Sequence, residues 1–167
     1  MNLYVLRHGV AVEPGTLGHG NDSERPLIPK GERRLRSAAA AMKKMDLSFD
    51  LILSSPFLRA GQTAEIIAEK LKLKKRLQFS DALTPGGSMG DLVKQLNGWK
   101  PAPESVLLVG HEPYLSGLIA LLVSGDERAA IEMKKGGLCK LETDSLRAGG
   151  CARLIWLLTP SQMELMV

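Results

Sequence analysis

The chain has 167 residues, 44% of them apolar and 24% charged, with a formal net charge of +4. That length and balance suit a single globular domain over residues 1–167 with a sizeable core, and nothing calls for a multidomain reading. Two cysteines, Cys139 and Cys151, are too few for a disulfide framework and lack the paired spacing of a zinc site, so reduced thiols and no metal are expected.

The longest apolar stretch, Leu115 to Val123, contains Ser116 and Gly117 and is too short to span a bilayer, and no basic segment precedes an apolar one at the amino terminus. The expectation is a soluble, cytoplasmic protein without a membrane partner. Charges of both signs are mixed along the chain except at Lys70-Leu71-Lys72-Leu73-Lys74-Lys75-Arg76. This run reads as a solvated helix end whose cations complement the carbonyl pole, and it lacks the interleaved aromatics of a nucleic-acid platform.

Strand and helix patterns alternate along the sequence. Leu3 to Leu6 reads as a short buried strand, followed by a Gly-rich loop from Glu13 to Asn21. A helix over about 30–45 sets Leu35, Ala38, Ala39, Met42 and Met45 on one face. Leu51-Ile52-Leu53 reads as a strand, Ser54-Ser55 as a turn, and Pro56 as the first residue of a helix that buries Ala60, Ala64, Ile67, Ala68 and Leu71. Gly86-Gly87 opens a short helix over about 88–96. The continuous run Val106 to Val109 fits a strand covered on both faces, and Gly110-His111-Glu112-Pro113 turns it into a helix with Leu115, Leu118, Ile119 and Leu122 inward. Two closing strands, about 138–142 and 152–158, flank Gly149-Gly150. The alternation predicts an α/β fold: a three-layer α/β/α sandwich whose mainly parallel sheet ends in an antiparallel carboxyl-terminal hairpin.

In such sheets, ligands bind beyond the carboxyl ends of the strands. Arg7 and His8 follow the first strand there, Arg59 opens the helix after the second, and His111 follows Val109. Successive strand residues point to opposite faces, so Arg7 and His8 share a pocket only if the chain turns, which Gly9 permits. A neutral imidazole in one tautomer is a competent nucleophile, and the arginine fork matches phosphate oxygens in pairs. Two histidines and two arginines crowded together favour an anion between them; without one, the imidazoles are held neutral. Each residue also has a plainer reading. Arg59, with Thr63 beside it, is one position round from the buried face of its helix, and His111 is placed to cap the helix beginning at Glu112-Pro113.

Arg7-His8-Gly9, Ser55-Pro56-Phe57-Leu58-Arg59-Ala60 with Gln62-Thr63, Leu83-Thr84-Pro85-Gly86 and Val109-Gly110-His111-Glu112-Pro113, in that order, resemble the histidine phosphatase superfamily. More narrowly they resemble its small SixA-like phosphohistidine phosphatases, and Asp22-Ser23-Glu24-Arg25-Pro26-Leu27 before Gly31 fits the same pattern. The resemblance implies a phosphoglycerate mutase-like fold. It also implies that His8 becomes phosphorylated while Arg7, Arg59 and His111 hold the phosphoryl oxygens, without a metal or other cofactor. Gly9, Ser23 and Arg25 are further candidates for the substrate pocket. His19, in the Gly-rich loop, is either an exposed loop residue or a substrate contact.

Larger relatives place a glutamate at the leaving group, whereas Leu83-Thr84-Pro85-Gly86-Gly87 offers no carboxylate. Asp81, Asp91, Glu13 and Glu112 are the nearest in sequence. A pocket without a placed acid suits a leaving group that departs easily, such as the imidazole of phosphohistidine. The expected function is removal of phosphate from phosphohistidine on a signalling or phosphocarrier protein. The alternatives are a phosphatase of small phosphomonoesters and a non-catalytic module that binds phosphate or a phosphoprotein.

Overall fold

A computed structural model describes residues 1–167. Six strands form one sheet in the order β3-β2-β4-β1-β5-β6: β1 (Asn2–Arg7), β2 (Leu51–Ser54), β3 (Leu77–Phe79), β4 (Ser105–Gly110), β5 (Leu138–Thr143) and β6 (Ala152–Leu158). β1 runs parallel to β4, and β2 runs parallel to both β4 and β3. β5 lies antiparallel to β1 and β6, giving the expected hairpin at the carboxyl end.

Alternate residues of the strands feed two cores. Leu3, Val5, Leu53 and Leu108 face one side, where they meet α3 (Met89–Gly98) and α4 (Tyr114–Ser124). Tyr4, Leu6, Ile52 and Leu107 face the other, against α1 (Pro29–Lys44), α2 (Leu58–Lys70) and α5 (Pro160–Glu164). The three layers follow from strands apolar on both faces, which remain stable only when helices cover each side. Ala38, Ala39 and Ala41 on α1 and Ala60, Ala64 and Ala68 on α2 are all buried, and their small side chains let these two helices pack closely.

Several boundaries differ from expectation. Ser54 belongs to β2, and α2 starts at Leu58 rather than Pro56, because Phe57 is still extended with φ −60° and ψ 134°. Met45 and Leu71 are half-buried at helix ends instead of lying in the core. β3 and α5 were not foreseen. β3 has three residues, two of them exposed, so its alternation is too short to register; α5 is a single turn announced only by the Thr159 cap, Pro160 and Gln162. In the basic run, Lys70 closes α2, Lys72 takes φ 62°, and residues 74–76 form a 3-10 turn leading into β3.

The chain just after β1 is held by close packing. A Cβ on Gly9 would lie 2.7 Å from Leu35 Cδ1, and one on Gly31 would lie 2.2 Å from the Val10 carbonyl oxygen. The first turns of α1 therefore rest directly on residues 9–10. Gly9 is needed for this close approach; its φ is not in the left-handed region, so the expected turning role is not the reason for a glycine there.

Candidate active site

Adjacent strand ends bring the candidate residues together. The His8 N–H donates to the Gly110 carbonyl at 3.0 Å, and the Ser55 N–H donates to the Val109 carbonyl at 2.9 Å. The order β2-β4-β1 thus sets Ser55, His111 and His8 side by side at the carboxyl edge of the sheet. The His8 and His111 rings have centroids 5.1 Å apart. Arg59 reaches in from the first turn of α2, its Nε 3.3 Å from His8 Nε2. His8, Arg59 and His111 are 6%, 3% and 1% exposed, respectively.

His8 Nδ1 lies 2.7 Å from the Gly9 carbonyl oxygen. A carbonyl only accepts, so Nδ1 carries the proton and Nε2 keeps its lone pair, toward which Arg59 Nε–H donates. Burial lowers the His8 pKa to about 3; the Gly9 hydrogen bond opposes this, while His111, Arg59 and Arg7 add to it. At neutral pH the ring is therefore uncharged, with Nε2 as its free nitrogen. His111 is likewise lowered to about 4, by burial first and then by Arg59. Its Nε2 sits 2.8 Å from Ser55 Oγ, and its Nδ1 is buried without a hydrogen-bond partner.

His111 does not cap the helix that follows. α4 begins at Tyr114, and the N–H of Ser116 is capped at 3.0 Å by Glu112 Oε1. The His111 main-chain oxygen instead accepts from Leu115 N–H at 2.9 Å, which leaves the ring for the pocket.

Arg59 is held on several sides. Its Nη1 donates to the Asp22 carbonyl at 2.6 Å and its Nη2 to Asp22 Oδ2 at 3.0 Å. The guanidinium carbon lies 5.4 Å from the Phe57 ring centroid, and that ring is 5.3 Å from His111. Arg25 donates through Nε to Asp22 Oδ1 at 2.8 Å and through Nη1 to the Val12 carbonyl at 2.6 Å, so it reaches the site through Asp22. Arg7 Nη1 donates to the Met133 carbonyl at 2.7 Å, while its Nε is buried without a partner. The Gly136 N–H bonds to the carbonyls of Arg7 and His8, so residues 133–137 brace the end of β1.

The remaining candidates bring no side chain into this group. Both polar groups of Gly9 are engaged in positioning: its carbonyl accepts from His8 and its N–H donates to Thr63 Oγ1 at 3.1 Å. Ser23 is half-buried, and its N–H donates to Asn21 Oδ1 at 3.3 Å, with no side-chain hydrogen bond to the histidines or arginines. His19 is half-buried in its loop and its side chain makes no hydrogen bond to the group.

Among the carboxylates, Asp91 pairs with Lys94 and Glu13 with Lys135, Glu112 caps α4, and the Asp81 carbonyl accepts from Thr84. The carboxylate that does reach Arg59 is Asp22, unforeseen although it stands in the quoted Asp22-to-Leu27 pattern. Burial raises the Asp22 carboxyl, but the hydrogen bonds from Arg25 and Arg59 outweigh it and hold the group below the usual carboxylate range. An ionised carboxylate orients arginines and has no proton to give. Ser55 and Phe57 also touch this group, and only their place in the motif leading to Arg59 marks them in the sequence.

Fold and site together define an α/β protein whose adjacent strand ends gather two buried imidazoles and the Arg59 guanidinium, with Arg7 at the end of the same strand as His8. The family model for the histidine phosphatase superfamily (branch 1) matches residues 3–84. The chain is 33% identical over 127 residues to the phosphohistidine phosphatase SixA of Escherichia coli, covering 75% of this chain and 76% of that protein. It is 37% identical to an uncharacterized protein of Picosynechococcus over 88% of each chain. Among solved structures, the protein histidine phosphatase SixA complexed with tungstate superposes with a TM-score of 0.83, at 28% identity, covering 98% of this chain and 99% of that one. The chain belongs to the histidine phosphatase superfamily.

Proposed function

We infer that this protein removes phosphate from phosphohistidine on another protein, through an enzyme phosphohistidine at His8. The observation that carries the reading is the fixed tautomer of His8: Nδ1 is bound to the Gly9 carbonyl, and Nε2 stands unprotonated beside Arg59. Nε2 attacks phosphorus, and Arg7, Arg59 and His111 hold the phosphoryl oxygens as charge redistributes, with arginines rather than a metal neutralising it. Among the groups assigned to the phosphoryl oxygens, Arg7 Nε and His111 Nδ1 are left buried without a hydrogen-bond partner. Water then hydrolyses the phosphoenzyme, with the same groups around the phosphoryl.

The choice of leaving group rests on the carboxylates. Asp22 is committed to Arg25 and Arg59 as an anion, so expulsion of an alkoxide receives no proton from it. A protonated imidazole leaves as a neutral ring and needs no such help. The SixA proteins to which the chain is similar are named as histidine phosphatases, which supports the same choice.

The test is kcat/KM on one preparation for three substrate classes. The expected order is phosphohistidine first, p-nitrophenyl phosphate second and sugar or alkyl phosphates last. A sugar phosphate turned over faster than a phosphohistidine peptide would replace this reading with a small-molecule phosphatase. Oxyanion binding without turnover of any class would replace it with a binding module.

A further inference from the structure

A basic trough extends from Arg7, at the end of β1. Its inner hollow, of about 540 Å³, runs from Arg7 past Lys134 and Lys135 to Arg34. Arg34 also lines an adjoining hollow of about 500 Å³ together with Lys30 and Arg33. Three elements build it: the segment that braces the end of β1, the first turns of α1, and the start of α5. Lys30, Arg33 and Arg34 fall within about one and a half helical turns, so α1 presents a compact band of cations.

The trough's own acids leave a cationic excess. Glu164 is taken by Arg34 at 2.8 Å and Glu132 by Lys134, while Lys135 makes only a long contact of 3.8 Å to Glu13. Lys30 and Arg33 are exposed and form no ion pair. No Phe, Tyr or Trp lines either hollow, so stacked bases find no platform. A lone phosphate is too small to bridge cations spread over three elements. What matches is a chain of carboxylates on a polypeptide whose phosphorylated residue enters beside Arg7.

We propose that this trough docks acidic residues flanking the phosphohistidine of the protein substrate. The proposal rests on the phosphohistidine reading above and adds the chemistry of the partner's surface. Exposed charges of this kind act chiefly on encounter and register, so their effect appears in kcat/KM and fades with salt.

The probes are two phosphohistidine peptides identical except that one carries Asp and Glu around the phosphorylated residue where the other carries Asn and Gln. At low salt the wild type is expected to favour the acidic peptide by about tenfold in kcat/KM, and the preference should collapse at about 0.5 M salt. The triple variant Arg33→Gln/Lys134→Gln/Lys135→Gln should lose the preference while hydrolysing phosphoramidate, a small N–P substrate, within about twofold of wild type. Equal rates on the two peptides at low salt, or a triple variant that keeps the wild-type preference, would overturn the trough and leave the phosphohistidine reading standing. Turnover of p-nitrophenyl phosphate with neither peptide hydrolysed would instead remove the phosphohistidine reading, and the trough with it.

Discussion

Arg59 gathers more of the site's contacts than any other side chain: His8 at Nε, Asp22 at both Nη atoms and the Phe57 ring at its face. A planar fork makes these contacts at once; an ammonium does not. Arg59→Lys is therefore expected to lower kcat/KM by roughly a hundredfold, about 3 kcal/mol, the usual cost of losing one preorganised donor. A Lys variant within about twofold of wild type would show that Arg59 does not face the reacting phosphoryl group. The histidines carry a second prediction. Both have folded pKa values, about 3 for His8 and about 4 for His111, below the 6.5 of an exposed imidazole. The unfolded chain thus binds more protons than the folded one between those values and 6.5, so their contribution to stability is complete above pH 6.5 and is lost as pH falls toward 4 for His111 and toward 3 for His8. The loss reaches at most about 1.4 kcal/mol per pH unit for each ring. Urea unfolding at pH 7.0 and 5.0 should show a larger drop for wild type than for His8→Asn, and equal drops would contradict a neutral, buried His8.

At the scale of elements, α2 and the end of β1 work as one unit. Thr63, one turn beyond Arg59, accepts the Gly9 N–H and donates to the Arg59 carbonyl at 2.7 Å, tying the helix that carries the guanidinium to the residue that fixes the His8 tautomer. Thr63→Val keeps the shape and strands a buried N–H, at a cost of about 1–3 kcal/mol in unfolding free energy. Activity should fall with it, and Thr63→Ser should restore most of both. Unfolding and turnover unchanged in the Val variant would show that the Gly9 contact is dispensable. Much of this unit was legible in the sequence, because Ala60, Ala64 and Ala68 mark the buried face at helical spacing and so place Arg59 beside it. The Asp22 contact was not, since a 3-10 turn of residues 22–24 has no periodicity to read and its partner lies 37 residues away. β3 and α5 escaped for a related reason, being too short for their pattern to stand out from the flanking loops.

For the whole molecule, the alternation of apolar strands with amphipathic helices was enough to foresee three layers and the closing hairpin, because parallel strands buried on both faces admit few other arrangements. It also foresaw that His8, Arg59 and His111 share an edge, since strand ends and their following turns converge there. What it left open was the wall beside Arg7. Residues 126–137 form neither helix nor strand until the last of them meets β5, and they offer the end of β1 only their backbone atoms, which the Arg7 guanidinium and the β1 backbone meet and which no residue type announces. Everything proposed for the site depends on transfer of the phosphoryl to His8, and trapping that intermediate tests it most directly. Wild-type protein mixed briefly with phosphoramidate bearing a phosphorus label and then quenched in alkali should carry label that is stable to base, labile to acid and located by peptide mapping at His8. His8→Ala should fold normally, carry none and turn over no substrate. A His8→Ala protein with near-normal activity, or label that maps to another residue, would contradict it.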